Sequence, residues 1–432
     1  MTFDNVNTIN CITNGKTQLL GVPQMVSGTG ENQAAAVYQL LQEWNLLDKV
    51  AGMGFDTTSC NTGSRSGTCI LLEQRLHRTI LNLACRHHIY ELLLKEIFSV
   101  YTKSSGPEVN LFGQFQKQWN SIDKSIYQTG WEHDEIRHIL QDCRENILEF
   151  SYAKLKENIN RHDFRELLEL VIIYLGRSVP SFHFRKPGAF HHARWIAKAI
   201  YCLKIWMLRN QLPQLTKEEE HLLFNVSIFT VLVYIKPWFT ASDAASAPRT
   251  DLETLQLLRS YHDNQVGQIV GRKLGKHLWY LSEELVGLSL FDENVGTATK
   301  RAIVASITQE DYEADEDPPK RVQIFNTALP SLDTFASPKT LYLLEHLGIN
   351  DSFLQEDPEY WENNESFQEG KRRIHNIPVV NDVAERGVAL IKQFNSHHTT
   401  KDDQLQYLLG VVEQHRKKFP TASKAVLTTG QQ

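Results

Sequence analysis

Long apolar runs are scarce in this sequence. The two longest, at 167–175 and 226–235, reach only about ten residues, short of what a bilayer-spanning helix needs. They suit buried helices, and no membrane association is expected. Cysteine is sparse as well. Cys11, Cys60, Cys69, Cys85, Cys143 and Cys202 show neither CxxC spacing nor the density of a disulfide-stapled secreted domain. Reduced thiols are expected. A positive charge excess is absent: 45 Lys and Arg stand against 51 Asp and Glu, a formal net charge of −6. That excludes a globally basic nucleic-acid binder and leaves only a local patch. The first ten residues have no basic region followed by an apolar one, so no secretory leader is expected. A soluble protein of the nucleus or cytoplasm is the resulting expectation.

Several catalytic signatures are missing too. Ser27-Gly28-Thr29-Gly30 lacks both the GK[ST] ending of a phosphate loop and GxGxxG spacing. There is no GxSxG elbow, no HExxH pair and no internal repeat. What is present is ordinary globular material, 41% hydrophobic and 22% charged. The 432 residues suffice for two or three domains.

Asn14-Gly15 is a strong hairpin signal between strands at 9–12 and 17–22, and Pro23 ends the second. Residues 31–44 read as a helix, with Ala34, Val37, Leu40, Leu41 and Trp44 at helical spacing. A buried strand over 50–55 ends on Asp56 at the turn Thr57-Thr58-Ser59-Cys60-Asn61-Thr62-Gly63. Residues 67–83 read as a helix whose pattern runs on through His88 to Phe98. This is an α/β start. From 109 to 347 the period is almost wholly helical, with segments at 134–157, 161–175, 190–209, 217–235, 251–258 and 274–288. Pro180, Pro213, Pro237 and Pro248 punctuate them. The acidic stretch 309–321 reads as a solvated linker. Residues 337–347 form a short helix, 356–373 are polar and irregular, and 381–394 and 402–419 are helical. Residues 421–432 are expected to be a disordered tail.

Four constellations could carry chemistry. Asp56 at a strand end could bind Mg²⁺ or Mn²⁺, hard cations that take oxygen ligands. Taken alone it reads first as a turn residue accepting backbone N–H groups. Cys85-Arg86-His87-His88 offers Cys and His three apart, but no second pair stands at a suitable spacing, so zinc is not expected. The stretch from Arg185 to Arg209 interleaves cations with aromatics. Within it His192, Arg194, Trp195 and Lys198 could contact phosphates and stack on bases. A buried Trp face with a solvated cationic side fits the same pattern. Finally, Asp382 and Glu385 lie one helical turn apart, so both acids could share a face.

The order of these motifs resembles the catalytic core of hAT-type transposases and of proteins derived from such transposons. Asp56, Asn61 and Gly63 match that family's strand-end motif. Cys85 and His88 match its Cys-x-x-His, Arg194-Trp195 its Arg-Trp pair, and Glu385 its last acid. The resemblance implies an α/β plus all-α protein, an RNase H-like mixed sheet interrupted by a large helical insertion. The core would occupy 1–105 and 376–420, and the insertion 106–375. It implies Asp56 and Glu385 as catalytic metal ligands, DNA as partner, and cleavage or strand transfer with Mg²⁺ or Mn²⁺ as chemistry. Homo-oligomerisation is left open. The family's first aspartate lies on a strand upstream of the hairpin, where this sequence has only Asp4. The first strand and its acid are therefore expected to be missing, and the chemistry impaired. The alternative is a non-enzymatic helical interaction protein.

Overall fold

The computed structural model describes residues 9–13, 16–21, 23, 27–102, 109–159, 161–187, 195–309 and 330–380. The expected helices at 381–394 and 402–419 lie outside them. The chain divides into two units, one built from Met1–Ala84 and Asn376–Gln432, the other from Cys85–His375.

In the first unit, β1 (Ile9–Thr13) and β2 (Lys16–Gly21) form the antiparallel hairpin. Helix α1 (Gly30–Glu43) follows, capped by the Thr29 side chain. Its end is tied to β2 by the Trp44 indole N–H, which donates to the Leu20 carbonyl at 3.0 Å. Strand β3 (Gly52–Phe55) leads through the short α2 (Ser59–Thr62) and α3 (Thr68–Leu76) to β4 (Leu81–Ala84). β3 and β4 pair in parallel, from Gly52 opposite Leu81 to Phe55 opposite Ala84. A parallel pair needs a crossover, and α3 supplies it. Leu20, Leu41, Leu72 and Ile80 form the core between these elements, with Val37, Met53 and Leu76 against them. The chain returns at 376–380, where Ile377 and Val379 are buried.

The second unit is helical. It contains α4 (Arg86–Tyr101), α5 (Asn110–Gln118), α6 (Asp134–Leu140), α7 (Arg144–Lys156), α8 (His162–Tyr174), α9 (Trp195–Leu208) and α10 (Lys217–Phe229). After a π-helical turn at Thr230–Tyr234 come α11 (Ile235–Thr240), α12 (Ala247–Arg259), α13 (Asn264–Gly275), α14 (Thr297–Ile307), α15 (Leu341–His346) and α16 (Glu365–His375). α4 is central, packed by α9, α10 and α13. The stretch Lys217–Thr240 is, by length and composition, long and apolar enough to cross a membrane. It escapes notice as short apolar runs because α10 and α11 are continuous. Of its most apolar window 78% is buried inside the protein, so it serves as core.

The protein is thus mostly helical with a small parallel sheet. Among the described residues the strands form two separate two-stranded sheets rather than one mixed sheet. Five local expectations change. Residues 134–157 are not one helix: a turn at 141–143 separates α6 from α7. Residues 67–83 are not one helix: His77 takes a left-handed conformation (φ 54°) that ends α3, and the next residues pair with β3. Pro237 does not end a helix. The π-helical turn just before it shifts the hydrogen-bond register, and the chain continues as helix through a residue that has no N–H. Residues 274–288 leave the α form at Gly275 and run on as 3₁₀ turns. Residues 356–373 are not irregular. α16 forms there because Phe367, Gly370 and Ile374 fall on one buried face, Phe367 stacked 5.2 Å from Phe291.

Candidate functional site

Asp56 follows the last residue of β3, where a parallel strand delivers its side chain to the rim of the sheet. Its carboxylate is held from one side only. Oδ1 accepts the Thr58 N–H at 3.1 Å, the Thr58 hydroxyl at 2.6 Å and the Asn61 amide at 2.7 Å. Oδ2 has no hydrogen-bond partner among the described residues. Because the Thr58 proton goes to Asp56, the Cys60 thiol is the donor in its 3.1 Å contact with the Thr58 oxygen. Next to this set, the buried Thr57 hydroxyl has no partner.

The loop carrying these groups is pinned by close backbone packing. The Thr68 hydroxyl lies 3.0 Å from the Cys60 carbonyl and 2.9 Å from the buried Gln33 side chain of α1. A Cβ on Gly67 would stand 2.5 Å from the Gly63 nitrogen and 2.7 Å from the Asn61 carbonyl oxygen. Gly63 therefore belongs to a tight Gly–Gly approach. Gly30 makes the same kind of approach from α1, its α-carbon against the backbone at Ser66 and Cys60. Sequence pattern gives no sign of the Gly30 approach, because the backbone it meets, at Cys60 and Ser66, lies in a separate loop beyond α1 and β3.

Glu385 lies outside the described residues, so its distance from Asp56 is not part of the site. The chain leading to it is close: a Cβ on Gly54 would stand 3.5 Å from the Pro378 carbonyl oxygen, beside β3. Among the described residues no group of three or more His, Cys, Asp or Glu side chains gathers around a common point. Asp56 Oδ2 fits a hard cation as one oxygen ligand; a complete ligand set needs more.

The Cys85-Arg86-His87-His88 motif does something else. It opens α4, in the second unit. Cys85 is buried and His88 half-buried. Arg86, which was not singled out from the sequence, is fully buried. It donates to the Tyr90 hydroxyl at 2.7 Å and to Asp251 at 3.3 Å, while the carbonyls of Thr240, Ala241 and Asp243 lie 3.4–3.5 Å away. Tyr90 donates to the same Asp251 oxygen at 2.9 Å. Burial opposes the guanidinium charge, but Tyr90 and Asp251 outweigh it and hold the pKa above its ordinary value. His87 stacks on Trp238 at 4.0 Å, with Nε2 3.1 Å from the Trp238 carbonyl oxygen. The motif clamps the reversal after α11.

The basic stretch is also different from its expected solvated form. His192 and Arg194 lie outside the described residues, and Trp195 opens α9. Lys198 is only 7% exposed, its ammonium 5.0 Å over the Phe98 ring. Burial, aided by the Lys95 charge, pushes its pKa down to about 8. Lys204 is buried against Glu166 at 2.6 Å, Arg185 pairs with Glu169 at 3.3 Å, and Arg209 lies 4.0 Å over Trp206. α9 is a core helix, and Arg185, Lys198, Lys204 and Arg209 are engaged inside the unit, while Lys186 is exposed. Periodicity marked a Trp face; it could not show that α4, α8 and α10 would cover α9 from several sides.

No protein-family model, curated protein or solved structure matches the chain.

Proposed function

We propose that the chain is a transposon-derived, RNase H-like DNA-binding protein whose ancestral activity is metal-dependent DNA cleavage or strand transfer, with Asp56 and Glu385 as metal ligands. One observation carries this reading. The returning chain lies against β3 at Gly54, two residues before Asp56, and Glu385 follows Pro378 by seven residues. At no more than about 3.6 Å per residue, that segment can reach the open face of the Asp56 carboxylate. Oδ2 of Asp56 accepts none of the bonds from Thr58 and Asn61, which keep the carboxylate from rotating. A bound Mg²⁺ or Mn²⁺ would activate a nucleophile and stabilise a leaving oxygen. The test is nicking of supercoiled DNA in Mn²⁺ together with DNA affinity across a salt series. With the first acid missing the chemistry is impaired, so expected are DNA affinity that falls as salt rises and at most residual nicking, lost in both Asp56→Asn and Glu385→Gln. Nicking absent from the unaltered protein, together with affinity indifferent to salt, overturns the reading.

A second reading, a helical interaction protein without chemistry, is favoured by the inward-facing cations of α9. It expects neither nicking nor salt-dependent DNA affinity.

A further inference from the structure

The loop between α5 and the 3₁₀ turn at Gly130–Glu132 contains neither helix nor strand, yet it is pinned along its length. The Gln211 side chain accepts the Asp123 N–H at 2.8 Å and donates to the Asp123 and Ile126 carbonyls at 2.7 Å each. Lys124 folds back to donate to the Trp119 and Ile122 carbonyls, and the Gln128 N–H donates to the Met207 carbonyl at 2.9 Å. Two residues exposed on this pinned loop are apolar: Ile126 is 62% exposed and Tyr127 37%. The Tyr127 ring meets buried Phe184 edge-on at 5.4 Å, and Phe184 meets half-buried Phe182 at 5.0 Å. Ile126, Tyr127 and Phe182 thus form one apolar ledge.

Unpaired backbone runs beside the ledge. Residues 182–187 pass without helix, turn or bend. Among the described residues, the N–H groups of His183, Phe184, Arg185 and Lys186 donate no hydrogen bond. Of the carbonyls over 182–186 only that of Arg185 accepts one, from Lys204 at 2.9 Å. Such groups need water or another chain as partner. His183 and Lys186 are exposed on this run, and Lys186 has no ion-pair partner among the described residues.

We propose that this face binds an extended peptide segment of a partner protein. An apolar side chain of the peptide seats on Ile126, Tyr127 and Phe182, a neighbouring Asp or Glu meets Lys186, and the peptide main chain pairs with 183–186. A ledge already pinned loses little freedom on binding, which favours affinity. Nucleic acid fits this face less well. Phosphates call for converging cations, but Arg185 is tied to Glu169, Lys124 is folded onto carbonyls, and Asp123 adds an exposed carboxylate. The proposal goes beyond the DNA reading and does not depend on Asp56.

The test selects a displayed library of random peptides on the full chain. Recovered peptides are labelled and titrated against variants. Expected are sequences with an aromatic or large aliphatic residue beside Asp or Glu. Ile126→Ser and Tyr127→Ser should each weaken them about ten-fold or more. Lys186→Glu should weaken acidic peptides and favour basic ones. Bound peptide should slow hydrogen exchange of the 183–186 amides. Ile126→Ser carries the test if Tyr127→Ser, deprived of its contact with Phe184, does not fold. Peptides that bind both Ile126→Ser and Lys186→Glu within about two-fold of the unaltered chain overturn the proposal, as does a library that yields no binder. Oligothymidylate binding that is lost in Ile126→Ser would give the face to nucleic acid. Self-association in sedimentation that is lost in Ile126→Ser would give it to a second copy. Either result overturns the peptide assignment.

Discussion

Arg86 joins three parts of the second unit through one guanidinium: its own helix at Tyr90, α12 at Asp251, and the backbone from Thr240 to Asp243. Both charged side chains are 1% exposed. Removing one partner strands the other charge away from water, so Arg86→Ala should cost about 3–5 kcal/mol in equilibrium denaturation. Arg86→Met combined with Asp251→Leu should recover much of that, because a buried ion pair and well-packed apolar groups are closely matched. A loss under about 1 kcal/mol for Arg86→Ala would mean that Arg86 is not the anchor. This role was not legible in the sequence. The carbonyl partners stand more than 150 positions away, and nothing local distinguishes a buried arginine from a solvated one. The Asp56 turn was legible, because acceptor, hydroxyl and amide fall within six residues and their spacing alone permits the bonds seen.

Between elements, the junction of α1 with the 59–67 loop depends on glycine. A Cβ on Gly30 would overlap the Ser66 carbonyl oxygen and stand 2.8 Å from that of Cys60. Backbone cannot swing aside as a side chain can, so Gly30→Ala should destabilise by about 1–3 kcal/mol. It should also raise hydrogen-exchange rates of the 59–67 amides. Gly113, within α5, has nothing within 4 Å of its missing Cβ. There the same substitution should stabilise by about 0.5–1 kcal/mol. Thermal and denaturant midpoints of the pair check both signs; a neutral Gly30→Ala would refute the tight junction. Helices of the second unit were readable because their apolar periodicity persists over many turns, as in α8 and α10. β4 was not. Its four residues, Leu81–Ala84, are too few to break a helical period, and only pairing with β3 makes them a strand. α16 escaped for the opposite reason: its buried face needs only Phe367, Gly370 and Ile374 in a mostly charged segment.

Across the whole molecule, the thiols report which parts of the core are closed. Cys69, Cys85 and Cys202 are buried, while Cys60 and Cys143 are half-buried. Burial, with Glu73 adding to it, pushes the Cys69 thiol up to about 12, and burial raises Cys202 as well. With a chromogenic disulfide reagent at pH 8, Cys60 should react ahead of these three. Cys69, Cys85 and Cys202 should stay silent until denaturant releases all six thiols of the chain. Their prompt reaction in the native protein would contradict closed cores in both units. One architectural fact remains to be followed through time. The first unit takes its chain from both sides of the second, so the Pro378 carbonyl that lies beside Gly54 is synthesised after everything from 85 to 375. At about 5–20 residues per second, translation leaves the β3–β4 pair without that neighbour for tens of seconds. The β3–β4 pair thus gains its neighbour at Gly54 only late in synthesis, and a nascent chain stalled within the helical unit would carry that flank open to whatever chaperone reached it first.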